Sequence, residues 1–123
     1  MITGQVDLNK QAIIRVTVKD TAGVEHEYDA AVDTGYDGFL TLPPHVIVRL
    51  GLPFAYQTPG VLADGTIVWI DHFEATVVWD GQIQPILVGR ADSMPLVGMS
   101  LLDGYRLWIE VVPNGIVQIE RLP

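Results

Sequence analysis

The sequence predicts an all-β chain with one or two short helices, and three observations carry that prediction. Asp-Gly or Asn-Gly pairs stand at Asp37-Gly38, Asp64-Gly65, Asp80-Gly81, Asp103-Gly104 and Asn114-Gly115, and these residues tolerate the positive φ of a tight hairpin. Runs of Val, Ile, Thr and aromatic residues lie between several of them. Candidate helices are few and short.

Taken in order, Ala12 to Lys19 alternates in polarity after its first residues, and Val24 to Val32 returns across the turn at Asp20 to Gly23, so the two predict a hairpin. Pro43-Pro44 followed by His45 to Leu50 and then Gly51 places Pro at a helix start and Gly past its end. Gly60 to Trp79 reads as a second hairpin turning at Asp64-Gly65, with a short arm, Val61-Leu62-Ala63, and a long one from Thr66 to Trp79. Asp80-Gly81 turns the chain into Gln82 to Val88. Met99 to Asp103 fits one helical turn stopped by Gly104, and Tyr105 to Val112 pairs with Ile116 to Arg121 around Pro113-Asn114-Gly115.

At 123 residues and 49% apolar composition the chain reads as a single domain, residues 1–123, able to bury a core without metal or disulfide. The net charge of −8 repels a phosphate backbone, so nucleic acid is not an expected partner. With no Cys, thiolate metal sites and cysteine nucleophiles are excluded by composition. No apolar run has the length of a membrane span and the start lacks the pattern of a signal segment, so a cytoplasmic, membrane-free protein is expected. His26, His45 and His72 are too widely spaced for a short ligand motif, and the glycines lack phosphate-loop spacing, so no metal and no cofactor are expected.

The sharpest motif is Ala30-Ala31-Val32-Asp33-Thr34-Gly35-Tyr36-Asp37-Gly38-Phe39-Leu40. A carboxylate directly after an apolar strand, followed by a small hydroxyl residue and Gly, puts an acid at the end of a buried element with open backbone beside it. Taken alone, the tripeptide also fits an Asp that hydrogen-bonds its own turn. Pro95-Leu96-Val97-Gly98 echoes it, each segment bringing apolar residues to a Gly with a Leu soon after, as two halves of one barrel would.

In this order the segments resemble the retropepsin-like aspartic proteases, especially the small bacterial type whose motif continues into Gly-Phe-Leu-Thr-Leu-Pro. The resemblance runs from about Ala12 to Val112 and rests on Val32-Asp33-Thr34-Gly35, the hairpin at Asp64-Gly65, and Pro95 to Leu102. It implies a closed barrel with a flap hairpin and a homodimer in which each subunit supplies one Asp. The chain holds one Asp-Thr-Gly, so a two-carboxylate site must come from symmetry. It implies an aspartic endopeptidase cutting extended polypeptide, with Asp33, Thr34 and Gly35 catalytic. Two carboxyls about 3 Å apart cannot both ionise, so such a pair holds one proton. Thr34 would bond across the two-fold, and Gly35 would let peptide backbone approach. Substrate would lie against Tyr36, Asp37, Leu96, Val97 and the flap residues Ala63, Asp64, Gly65 and Thr66.

Two departures stand out. Retroviral members carry an Arg after the Gly of the third segment, paired to an Asp four residues after the catalytic one; Asp37 fits that place, but Met99 replaces the Arg, leaving Arg90, Arg106 or solvent as partners. Tyr36 replaces a small residue and should narrow or reshape the adjacent subsite. Met1 to Asp7 and Ile116 to Pro123 lie outside the best match, leaving the dimer contact open. Two other readings remain: a non-catalytic peptide- or protein-binding module on the same barrel, and a structural monomer.

Overall fold

The computed structural model describes residues 1–123. In chain order the elements are β1 (Ile2–Val6), β2 (Ala12–Lys19), β3 (Glu25–Val32), β4 (Leu40–Leu42), α1 (Pro44–Leu50), β5 (Phe54–Val61), β6 (Ile67–Trp79), β7 (Gln82–Arg90), β8 (Leu96–Val97), α2 (Met99–Leu102), β9 (Tyr105–Ile109) and β10 (Ile116–Arg121). The ten strands form one sheet in the order β5-β6-β7-β4-β8-β3-β2-β1-β10-β9, and an added β2–β6 pairing closes β6, β7, β4, β8, β3 and β2 into a ring. No helix is long and apolar enough to cross a membrane.

Period-two patterning fills the ring. Ala12, Ile14, Val16 and Val18 point inward from β2, Ala75, Val77 and Trp79 from β6, and Ile86 and Val88 from β7. They belong to one apolar cluster of 22 buried residues that also takes in Val117 and Ile119 of β10. β4 is buried at all three residues and lies between β7 and β8, and α1 turns Val46, Ile47 and Leu50 into the same core. α1 starts with Pro44 at its first turn and stops at Gly51, left-handed at φ 67°. Asp80 and Gly81 both take positive φ, 51° and 77°, as a two-residue turn between antiparallel strands demands.

The predicted hairpin β2/β3, both helices and the β6/β7 and β9/β10 pairings are present. Two expectations need correction, and two strands are additions to them. The flap hairpin does not have a short arm: β5 pairs with β6 from Phe54↔Phe73 to Val61↔Ile67, with a bulge between Phe54 and Tyr56. Pro53 and Pro59 mask this strand in the sequence, yet an edge strand tolerates Pro because one row of its backbone groups has no partner. β9 ends at Ile109 rather than Val112, because Val112 N–H turns back to the Glu110 carbonyl. β1 was not anticipated, and it sits between β2 and β10. β4 was not anticipated either, since three residues are too few to show a period.

Candidate active site

Parallel pairing of β3 with β8 builds the site. Ala31 lies opposite Leu96 and Val32 opposite Val97, so the two segments that echo each other in sequence are neighbours in the sheet. The ladder continues one residue further, where Asp33 N–H donates to the Val97 carbonyl at 2.9 Å. The chain then leaves the strand: Gly35 N–H donates to Asp33 Oδ1 at 2.9 Å and Tyr36 N–H to the Asp33 carbonyl at 3.2 Å. Oδ1 is thereby aimed, and Oδ2 has no partner within the chain. A Cβ at Gly35 would sit 3.2 Å from Oδ1, so a bare backbone suits that position.

A second set of bonds clasps this loop to α2. Gly98 N–H donates to the Phe39 carbonyl at 3.0 Å, Met99 N–H to the Tyr36 carbonyl at 2.8 Å and Ser100 N–H to the Gly38 carbonyl at 3.1 Å. The Ser100 hydroxyl donates to the Asp37 carbonyl at 2.5 Å, a tie that sequence reasoning missed. Buried Thr41 adds another, accepting from Leu96 N–H at 3.1 Å.

The structure thus brings together Asp33, Thr34, Gly35, Tyr36, Asp37, Leu96 and Val97. Asp33 and Tyr36 are half-buried, and Thr34, Gly35 and Asp37 are exposed. Val97 is fully buried and reaches the site only through its carbonyl. The Asp37 carboxylate faces solvent without an ion pair; Arg90 instead lies 3.6 Å from Asp71, which rules it out as the Asp37 partner within the chain. Asp33 and Leu96 line a hollow of about 270 Å³ with Val6, Ala12, Ile109 and Val111. A larger hollow of about 730 Å³ beside α2 does not contain Asp33.

Ala63, Asp64, Gly65 and Thr66 form the tip of the β5/β6 hairpin, away from the Asp33 loop in sequence and without a hydrogen bond to it. The Thr66 hydroxyl and N–H hold the Asp64 carboxyl below its ordinary value. Ile67 to Asp71 pair only with β5, so the hairpin leaves the ring as a two-stranded ribbon. Such ribbons are marginally stable alone. This one exposes Val61, Leu62, Ile67 and Trp69, which are 74, 49, 63 and 65% accessible. At its stem Thr58 Oγ1 lies 2.7 Å from His72 Nε2, and Gln57 Nε2 donates to Asp71 at 2.6 Å.

No three His, Asp or Glu side chains gather in metal-ligand geometry; Asp71 and His72 are engaged by Gln57, Arg90 and Thr58.

No protein-family model matches the chain, and no curated protein matches it in sequence. Solved structures do. The chain superposes on EIAV protease, solved in complex with an inhibitor, with a TM-score of 0.56 and 21% identity over 77% of this chain and 88% of that one. It superposes on a retropepsin-like aspartic protease from Rickettsia conorii with a TM-score of 0.54 and 16% identity over 96% of this chain and 86% of that one. The fold is therefore retropepsin-like.

Proposed function

We propose that the chain is an aspartic endopeptidase that works as a homodimer, with Asp33 of each subunit forming the catalytic pair. The observation that carries this reading is the half-site: one carboxylate is aimed by Gly35 N–H at the end of β3, its second oxygen is free, and it stands beside exposed Thr34 and Gly35. A two-fold axis past Asp33 supplies what one chain lacks.

The chemistry follows from one shared proton. The ionised Asp33 takes a proton from a water held between the carboxyls, and the protonated Asp33 hydrogen-bonds the scissile carbonyl oxygen. The water oxygen bonds to the carbonyl carbon as the C=O π bond opens and the protonated carboxyl passes its proton to the carbonyl oxygen, giving a tetrahedral diol. One carboxyl then hands a proton to the amide nitrogen while the other takes one from a diol hydroxyl, the C–N bond breaks as C=O re-forms, and an acid and an amine leave without an acyl-enzyme, the pair again holding one proton. An extended peptide fits, since the flap ribbon can bond its main chain while alternate side chains enter pockets. The exposed apolar side chains of that ribbon gain cover when it closes over substrate.

The dimer contact is assigned to the face around Asp33. Both edges of β1 and of β10 are already paired within the chain, so neither terminal strand can add to a partner's sheet. Val111 lines the same hollow as Asp33, and Val111 and Val112 are 65 and 58% accessible. Replacing Asp33 with Asn tests the reading: the variant should keep fold and dimer and lose peptide hydrolysis. Undiminished hydrolysis by Asp33→Asn would remove Asp33 from the mechanism.

A further inference from the structure

The Asp33 loop carries one large side chain, and three glycines from separate segments make room for it. A Cβ on Gly38 would collide with the Tyr36 ring, reaching Cε1 at 2.8 Å. One on Gly98, just before α2, would lie 2.5 Å from Cδ2, and one on Gly89 of β7 would lie 3.4 Å from the hydroxyl oxygen. Ile70 of the flap ribbon reaches the same Gly89 position, at 3.9 Å. The ring therefore stretches from the Asp33 loop across the start of α2 to β7, near Ile70 at the foot of the flap.

The ring is half-buried, and its hydroxyl makes no hydrogen bond within the chain yet is not sealed from solvent. Burial first, and the Asp37 carboxylate second, hold the phenol above its ordinary value of 10.0. The side chain is thus a neutral body rather than a charge.

We propose that Tyr36 plugs the subsite between the Asp33 loop and the flap foot, so that the substrate side chain seated there is restricted to glycine, alanine or serine. The inference rests on the protease reading. Because the two-fold doubles Tyr36, the restriction falls once on each side of the scissile bond. A pocket filled by a ring has no volume for Leu, Ile or Phe, and hydrophobic pockets discriminate by roughly tenfold or more when volume is mismatched.

The test is cleavage of a synthetic peptide library by the full-length dimer, read by mass spectrometry, for wild type, Tyr36→Phe and Tyr36→Ala. Wild type should show one position on each side of the cut confined to small residues. Tyr36→Phe keeps the ring and should keep that profile. Tyr36→Ala should shift the kcat/KM ratio of large to small residues at those positions by about tenfold or more. A wild-type profile that accepts Leu or Phe at every position overturns the proposal without any variant. So does an equal loss on all peptides in Tyr36→Ala, which is the mark of a packing residue. If wild type and Asp33→Asn both cleave nothing, the protease reading itself fails and takes this inference with it.

Discussion

Gly98→Ala tests whether the contact between β8, α2 and the Asp33 loop holds the site together. Gly98 has φ −100° and ψ 179°, extended geometry open to any residue, so alanine meets no backbone penalty there. The cost is steric. The new methyl would lie on the Gly38 carbonyl oxygen, 2.5 Å from Tyr36 Cδ2 and 2.8 Å from the Tyr36 carbonyl oxygen. Two of these contacts are backbone atoms of the loop, which can yield only by moving away from α2. Overpacking of this kind costs about 1–3 kcal/mol. Moving the loop also stretches the bonds from Met99 N–H to Tyr36 and from Ser100 N–H to Gly38, at about 0.5–1.5 kcal/mol each. The sum is a loss of roughly 2–6 kcal/mol in folding stability. With a urea slope of about 2 kcal/mol per molar, the middle of the ordinary range, the unfolding midpoint should fall by about 1–3 M. The assay is urea unfolding followed by Trp fluorescence, beside peptide cleavage at a temperature where the variant is folded. Cleavage should fall further than the folded fraction does, because the displaced segment carries Asp33. An unchanged midpoint with full activity would refute the claim that this contact sets the loop.

Three further outcomes are expected. Asp20 accepts from the N–H groups of Ala22 and Val24 at 2.9 Å each and lies 2.9 Å from His26 Nε2, and His26 first, then Val24 N–H, hold its carboxyl below the ordinary 3.8. A depressed carboxyl contributes stability that is whole above the ordinary value and is lost as pH falls through the lowered one. The Tm gap between wild type and Asp20→Ala should therefore be steady above 3.8 and close in more acid solution, as calorimetry across pH will read. Val111→Asp should convert dimer to monomer in sedimentation at micromolar concentration and abolish cleavage with the far-UV spectrum unchanged, since it puts a charge on the exposed face beside Asp33. Thr41→Val removes the acceptor for Leu96 N–H and should cost about 1–3 kcal/mol in urea unfolding.

Much of this was legible in the chain because the chemistry is local. Asp80-Gly81 announces a turn through the φ values both residues adopt, and Pro44 and Gly51 bracket α1 by their own geometry. Asp33 was legible as a carboxylate at the end of an apolar run. What stayed hidden depends on distant partners. β4 is a strand only because β7 and β8 flank it, and β1 only because β2 and β10 do. Phe54 to Val61 does not read as a strand with Pro at 53 and 59 until its place at the sheet edge is known. Ser100 gives no sign of tying Asp37, because its bond crosses 63 positions of sequence. The glycines around Tyr36 likewise come from three segments that share no local pattern.

Dilution of wild-type chains with Asp33→Asn chains, at constant total concentration and after subunit exchange, tests the paired-carboxyl account most directly. If each active centre needs Asp33 from both subunits, an equal mixture should retain about a quarter of the wild-type rate, since only that share of dimers carries two native chains. Retention of about half would mean that each chain acts through its own Asp33, and the account would be wrong.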